Sequence, residues 1–570
     1  MAISIGRSRR SGINCSFNEP VDDIDPVSLP LTILKGDAFA VRLARIARQP
    51  MPSEPLPNLK YQRILVPGLT GGERHFALLG FIAQALRIRG AAVTALMCDA
   101  MLPACTLRKV DHDESACTRW CHRNSPRFAN AMKLPHRWYS EFISPETMER
   151  QQRLAANVPE DELLSFEHDG IALGQHIERS LESYFKIGTL DLDDPTITAQ
   201  AREFLLAALY MTEISRRALD ELRIDKVLID DGKKIDWGVM RAIANQKGIP
   251  VDVTNTGIRG TSVRLIVDRP PSAPALMGGW DQWRDMPLTS EQEADLDSYL
   301  IRRATVPYEW RDEQWRLNIT DELEVKRIIG LPDEPAGVVL AMFPNVGFDA
   351  GKTKSSSAAF STATEWIETT ITELGNQPEH HLIIKSHPSE HHRVGLDRID
   401  QVVRRRFDPL PPNIHLIAPD ADITARSVVQ LADIVLTYTS TVTAEAAAIG
   451  KPVILVGGGW HAGRGIATEV HTPREYFALL ETILSAQHIP ETPTELARRY
   501  AYALFFRNDI PINHFQTNDF NVAKLRLDDW SDLLPGADRS IDAICRGVLF
   551  DELFENPETQ LNEFAEMGQP

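Results

Sequence analysis

The stretch from Ala432 to Glu469, ADIVLTYTSTVTAEAAAIGKPVILVGGGWHAGRGIATE, constrains the fold more than any other part of the chain. Ile434 to Tyr438 is a short apolar, β-rich run suited to a buried strand. Thr439, Ser440 and Thr441 are good helix-capping residues, and the alanine-rich run from Val442 to Ile449 reads as an amphipathic helix. Gly450 stops that helix, and Lys451-Pro452 cannot continue it. Pro452 to Val456 is a second buried strand, after which Gly457, Gly458 and Gly459 open a loop. A helix N-terminus leaves N–H groups free to meet a phosphate. Open α/β sheets bind ligands at the carboxyl ends of their strands.

Similar units recur upstream. Arg63 to Val66 is a buried strand, followed by PGLTGGERHF at 67–76, a helix through Arg89 and a strand from Ala92 to Cys98. This opening is Rossmann-like but lacks G-x-G-x-x-G, so no dinucleotide fingerprint is present. Residues 125–225 read as mostly helical. Val227 to Ile229 is a strand ending in Asp230-Asp231-Gly232, with a helix from Trp237 to Lys247 and a strand from Val251 to Thr254 behind it. Gly337 to Met342 opens a second half, and His381 to Lys385 and Asn413 to Ile417 continue it. A helix from Thr424 to Leu431 then leads into the central stretch. FPNVGFDAGKT at 343–353 misses a Walker motif, because Val346 stands where the first glycine belongs. The expected fold is α/β, with two Rossmann-like domains whose parallel sheets face a central cleft. The expected boundaries are an irregular lead-in at 1–58 with one helix at Ala38 to Ala47, and a first Rossmann-like domain at 59–325 with a cysteine segment and a helical insertion. A second Rossmann-like domain follows at 326–480, then helices and an acidic tail at 481–570 that either wraps over the first half or trails.

Composition narrows the function. The 570 residues carry 79 Asp and Glu against 61 Lys and Arg, a net charge of −18. Nucleic-acid binding over a broad surface needs a basic footprint and is not expected. No apolar run reaches the roughly 18 residues of a membrane-spanning helix. The N-terminal arginines are not followed by an apolar core, so no secretory signal is read and a cytoplasmic location is expected. Six cysteines in 570 residues do not make a disulfide framework. Four of them, Cys98, Cys105, Cys117 and Cys121, fall within 24 residues as C-x6-C-x11-C-x3-C, with His112 and His122 interleaved. Four thiols can close a structural zinc site; the alternative is a set of reduced, partly buried cysteines.

Candidate binding residues gather at strand ends. Ser440 and Thr441 are placed to stabilise a phosphate without a metal, and capping the helix is compatible with that role. Glu445 is either an acceptor for ribose hydroxyls or a solvated helix carboxylate. His387 follows a buried strand, with Pro388 fixing its loop. It is suited to donate to a phosphate or, as imidazolium, to act as acid to a leaving group. His391 and His392 stand close by, so an ordinary loop histidine is the competing reading. Lys385 and Arg464 are candidate phosphate cations, and Asn345 and Asp349 end the first strand of the second half.

KSHPSE at 385–390, TYTSTVTAEAAAIGKPVILVG at 437–457 and GRGIATEVHTPREY at 463–476 together resemble bacterial capsule and surface-polysaccharide glycosyltransferases of the GT-B fold. The likeness includes CMP-sugar-dependent Kdo and sialic acid transferases. It runs over residues 335–480 and loosely over 60–260. The resemblance implies a nucleotide-sugar donor in the second half, CMP-linked acidic sugar first and UDP-sugar open. It also implies a glycan or glycolipid acceptor against the first half, and no cofactor required for catalysis. Asp230-Asp231-Gly232, His387-Pro388 and Ser440-Thr441 are similar, in order, to the D/E-D/E-G, His-Pro and Ser/Thr motifs of bacterial sialyltransferases. That likeness makes Asp231 the first candidate for the general base. Glu73 is the second, because its loop position resembles the base position of lipid A Kdo transferases. A carboxylate in a dry cleft has its pKa raised toward useful values. The cysteine segment is a departure from these families. Peripheral association with the inner membrane face or with a polysaccharide export machinery fits the same reading. Two rivals stay open: a GT-B enzyme like UDP-N-acetylhexosamine 2-epimerase, and a non-catalytic assembly subunit of a polysaccharide machinery.

Overall fold

Short apolar runs, each covered on both faces, build two open sheets in this chain. The computed structural model describes residues 38–559 apart from 70–72, 109–116, 118–120, 122, 189, 260, 269–278, 306–320, 346–357, 389, 391–397, 486–488 and 519–520. Helix α1 (Ala38–Ala47) precedes a first set of strands: β1 (Arg63–Pro67), β2 (Ala92–Met97), β3 (His136–Trp138), β4 (Lys226–Asp230), β5 (Val251–Thr256) and β6 (Ser262–Asp268). Helices α2 (Glu73–Ile88), α3 (Leu173–Phe185), α4 (Pro195–Glu221) and α5 (Ile235–Gln246) are interleaved with them. The strand order β3-β2-β1-β4-β5 is all parallel, and it is the order of a dinucleotide-binding Rossmann sheet. Alternation along β1 sends Ile64 and Val66 into one core and Leu65 into the other, so the sheet must be sandwiched.

Helix α6 (Ser290–Thr305) leads toward the second sheet, made of β7 (Val339–Phe343), β8 (His381–Lys385), β9 (Ile414–Ile417), β10 (Ile434–Thr437), β11 (Val453–Leu455) and β12 (Thr468–Glu469). Its order is β12-β11-β10-β7-β8-β9, all parallel, and it repeats the same topology. Helix α7 (Ala425–Leu431) is capped by Thr424, whose Oγ1 accepts from Ser427 N at 3.0 Å. Helix α8 (Val442–Ala448) keeps Ala444, Ala446, Ala447 and Ala448 buried, and those small side chains let α10 (Thr494–Tyr502) pack closely on it after α9 (Pro473–Leu484).

The chain then returns to the first half. β13 (Ile510–Pro511) pairs antiparallel with β6, which is itself antiparallel to β5, so the first sheet gains an antiparallel edge of two strands. A hairpin of β14 (Phe515–Asn518) and β15 (Asn521–Leu525) follows, and helix α11 (Arg539–Phe550) packs on α2. Arg89, buried at the end of α2, donates to the carbonyl oxygens of Leu533 at 2.7 Å and Ala85 at 3.0 Å and pairs with Asp542. Asp509 sits where the returning chain meets the β5–β6 loop. Its Oδ2 accepts from Ile258 N at 2.6 Å, Arg259 N at 2.7 Å and Ser262 Oγ at 3.2 Å. The Arg264 guanidinium lies 3.5 Å from its other oxygen.

The helical region 125–225 also holds β3, whose polar triplet His-Arg-Trp gives no apolar run to read. β6 and β13 likewise depart from the all-parallel expectation. Of the residues from 481, 494–507 pack into the core of the second half, and 510–554 form a folded return to the first sheet. The lead-in to residue 37, His112, His122, Asp349, His391, His392, the tail from 560 and the glycine-rich run after Asn345 lie outside the described residues. Asp509→Ala is expected to lower stability by about 3–5 kcal/mol, because it leaves the buried Arg264 guanidinium without its carboxylate and two half-buried N–H groups without their acceptor. Urea denaturation of the full chain measures it.

Candidate active site at the two switch points

A parallel sheet ordered 3-2-1-4-5 has a crevice where the connections diverge, between its first and fourth strands. Here the crevices lie at β1/β4 and at β7/β10.

In the second half, Asn345 and Thr439 bridge the crevice. Asn345 Nδ2 donates to Thr439 Oγ1 at 2.7 Å, and Thr439 N donates to Asn345 Oδ1 at 3.1 Å. Ser440 Oγ accepts from Val442 N at 3.3 Å, so it is the hydroxyl that caps α8. Thr441 does not cap. Its hydroxyl donates to Glu445 Oε1 at 3.0 Å and accepts from the Arg303 guanidinium at 3.2 Å. Glu445, expected as a ribose acceptor, is ion-paired to Arg303 of α6 at 2.8 Å. Arg303, Thr441 and Glu445 thus form one network across 142 residues of sequence, which no local pattern reveals.

Lys385 ends β8 and is buried, yet its Nζ finds no hydrogen-bond partner among the described residues, nor does the neighbouring Ser386 hydroxyl. Burial pushes the Lys385 ammonium down to about 8, against a smaller upward pull from Asp420. His387 and Pro388 follow at once, His387 exposed and its carbonyl accepting from Glu390 N at 3.0 Å. The glycine loop after β11 closes against β10: a Cβ at Gly457 would stand 2.5 Å from the Tyr438 carbonyl oxygen. His461, which no motif singled out, is buried beside the Ser440 backbone, 3.1 Å from Tyr500 Oη. Burial lowers its imidazole to about 3, so the ring is neutral. Arg464 leans on the Trp460 carbonyl at 3.5 Å. Arg264 of the first half stacks 4.1 Å over the Trp460 ring, so the two halves meet at this loop.

In the first half, Gly68 has φ +71° and a Cβ there would lie 2.3 Å from Trp237 Nε1, so only glycine fits beneath that indole. Asp231 also has positive φ, +58°, a strained conformation that clusters at functional turns. Its carboxylate lies 3.0 Å from Lys234 Nζ. Burial acts to raise it, but Lys234, Lys233 and Arg241 outweigh burial and hold it below the usual carboxylate range. This reverses the upward shift expected for it. Glu73 opens α2, and its Oε2 accepts from Val522 N at 2.9 Å, which ties the returning hairpin to the first loop. A pair the sequence reading did not join is His75 and Asp230. His75 Nε2 is 3.2 Å from Asp230 Oδ2, and Asp230 Oδ1 accepts from Thr254 Oγ1 at 3.1 Å. Both sit at the β1/β4 crevice with Trp237 alongside, its ring centroid 5.4 Å from that of His75.

Cys98, Cys105, Cys117 and Cys121 converge on one cavity of about 20 Å³, which Asp236 also lines. Among the described residues, no group of three or more His, Cys, Asp or Glu is arranged to hold a metal ion. No described helix is long and apolar enough to cross a membrane.

Two sheets of Rossmann order in one chain, with the C-terminal segment returning to the first, define the GT-B class. Residues 356–478 match the family model described as a capsule polysaccharide biosynthesis protein. The resemblance to surface-polysaccharide transferases drawn from the motifs falls on these residues. No curated protein matches the sequence. Among solved structures, the beta Kdo 2,7 transferase KpsC of Thermosulfurimonas dismutans is similar at 17% identity, over 54% of this chain and 85% of that one, with a TM-score of 0.27. UDP-GlcNAc 2-epimerase from Neisseria meningitidis is similar at 11% identity, over 78% and 97%, with a TM-score of 0.21. The Streptomyces sp. SF2575 glycosyltransferase SsfS6 is similar at 13% identity, over 78% and 96%, with a TM-score of 0.23. TM-scores this low carry no argument, so the fold assignment stands on the two sheets themselves.

An anion bound beside Lys385 favours its charged form. In the free protein that charge is lost as pH rises through about 8, so binding of inorganic phosphate or another anion there is expected to take up protons above that pH and to weaken. Calorimetry in buffers of different ionisation heat reads the uptake, and Lys385→Met is expected to abolish it.

Proposed function

We propose that this chain is a glycosyltransferase of bacterial surface-polysaccharide synthesis, moving a sugar from a nucleotide donor to a hydroxyl of a glycan or glycolipid acceptor. The observation that carries the reading is the buried Lys385, whose amine finds no hydrogen-bond partner among the described residues, in the segment 356–478 that matches the capsule family and at the strand end next to the Asn345–Thr439 bridge. An amine held dry, with only a weak pull from Asp420 on it, is suited to an arriving phosphate. His387 stands two residues on, at the same strand end. CMP-linked acidic sugars are the first donors to test, on the motif likeness, and UDP-sugars the second.

Glycosyl transfer also needs a base for the acceptor hydroxyl. His75 with Asp230 fits that role better than Asp231. The imidazole stands 3.2 Å from the Asp230 carboxylate at the crevice, whereas Asp231 is ion-paired to Lys234 and held below the usual range. Glu73 spends one oxygen on Val522 N.

A thermal-shift panel of CMP, UDP, GDP, dTDP and ADP tests the donor site, since a ligand of the folded state raises its apparent stability. A shift with CMP is the expected result; no shift with any nucleotide removes the reading. UDP-N-acetylhexosamine turned over with no acceptor present would instead make this a 2-epimerase-like enzyme. His75→Ala and Asp230→Asn are each expected to lower kcat about 10²- to 10⁴-fold, the usual worth of a general base, with donor affinity kept. Asp231→Asn with the larger kcat loss would return the role to Asp231.

A further inference from the structure

The four-cysteine cavity has no part in the proposed transfer. It lies behind the first switch point, where the segment after β2 packs on the N-terminus of α5. Thr106 Oγ1 donates to Asp236 Oδ2 at 3.4 Å, two residues from the lysine that pairs with Asp231. Within the cavity the thiols are organised around one sulfur. Arg108 Nε donates to Cys117 Sγ at 3.0 Å, and its guanidinium is held by the carbonyls of Pro103 at 3.3 Å and Ala100 at 3.5 Å. Cys105 and Cys121 also hydrogen-bond to the Cys117 sulfur. All four cysteines are free thiols. Cys105 is half-buried, so solvent reaches the cluster at its position.

We propose that Cys105 and Cys117 are a redox-active dithiol that peroxide converts to a disulfide. The guanidinium makes Cys117 the nucleophile, because a cation beside a sulfur favours attack from it. Cys117 Sγ attacks one oxygen of hydrogen peroxide; the S–O bond forms, the O–O bond breaks, and the departing hydroxide takes a proton to leave as water. Cys105 Sγ then attacks the sulfenic sulfur, its proton and the hydroxyl leaving as a second water. Two thiols and one peroxide give one disulfide and two waters. Cys105 is the partner for a geometric reason. Cys117 and Cys121 are both helical and four residues apart, and such neighbours hold their Cβ atoms about 5–6 Å apart, beyond the roughly 3.5–4.5 Å of a disulfide. Cys105 comes from a separate segment and is free of that constraint.

The test uses the full chain. Reduced protein is titrated with hydrogen peroxide, blocked with N-ethylmaleimide and mapped by mass spectrometry. The expected result is a Cys105–Cys117 linked peptide, reversed by dithiothreitol. Cys105→Ser is expected to leave a sulfenic acid on Cys117 that dimedone traps. Arg108→Gln is expected to slow oxidation about tenfold, the worth of one charge-assisted hydrogen bond. Full labelling of all four thiols after peroxide overturns the proposal, as does a link that omits Cys117. So does purified protein carrying one zinc per chain that shields the four thiols from label.

Discussion

A buried carboxylate, Asp509, holds the two halves of this chain in one arrangement. An unpaired charge in the interior is costly, and Asp509 is tolerated because two backbone N–H groups, a hydroxyl and the Arg264 guanidinium surround it. All of those partners belong to the first half, while Asp509 follows directly on the helical turn at 503–507, which packs into the core of the second. The next residue begins β13, which adds to the first sheet. Arg264 then spans the remaining gap, stacking on Trp460 in the glycine loop of the second half. The contact that fixes the return of the chain therefore also fixes how the two crevices stand to one another.

Given that arrangement, the polar residues divide by half. The second half offers an amine, an amide and a hydroxyl at its strand ends, in Lys385, Asn345 and Ser440. The first half offers an imidazole and carboxylates, in His75, Asp230, Asp231 and Glu73. In each crevice the scaffold is a backbone that only special residues permit: Gly68 under Trp237, Gly457 against Tyr438 and Asp231 at positive φ. These are places where local preference is overridden, and such places are where chemistry is usually housed.

How much of this was legible depends on the range of the interaction. β1, β8 and β10 are apolar runs of four or five residues between caps and glycines, so their position was readable to within a residue or so. The capping of α7 by Thr424 was readable for the same reason. β3 and β13 are short and polar or proline-bearing; they are strands only because a neighbour pairs with them, and no pattern announces that. The Asp231–Lys234 pair sits three residues apart in DDGKK and was open to reading, but the motif likeness drew attention to the acid alone. Glu445 with Arg303, and Glu73 with Val522, join residues 142 and 449 positions apart. Both carboxylates looked available in the sequence, and both have a protein partner in the fold. The cysteines were legible as a cluster, whereas their organisation around Arg108 was not.

The same contrast bears on the anionic donor proposed for this acidic chain. A net charge of −18 repels nucleotides at long range, but screening confines that field to roughly 8–10 Å at ordinary ionic strength. Inside the crevice the local groups decide. Arg303 is already matched by Glu445, and Arg264 by Asp509 and the Trp460 face, so neither adds much free positive charge. Lys385 is different, because burial rather than a counter-ion sets its state. Its ammonium is charged below a pH of about 8, and a bound anion would hold that charge at higher pH.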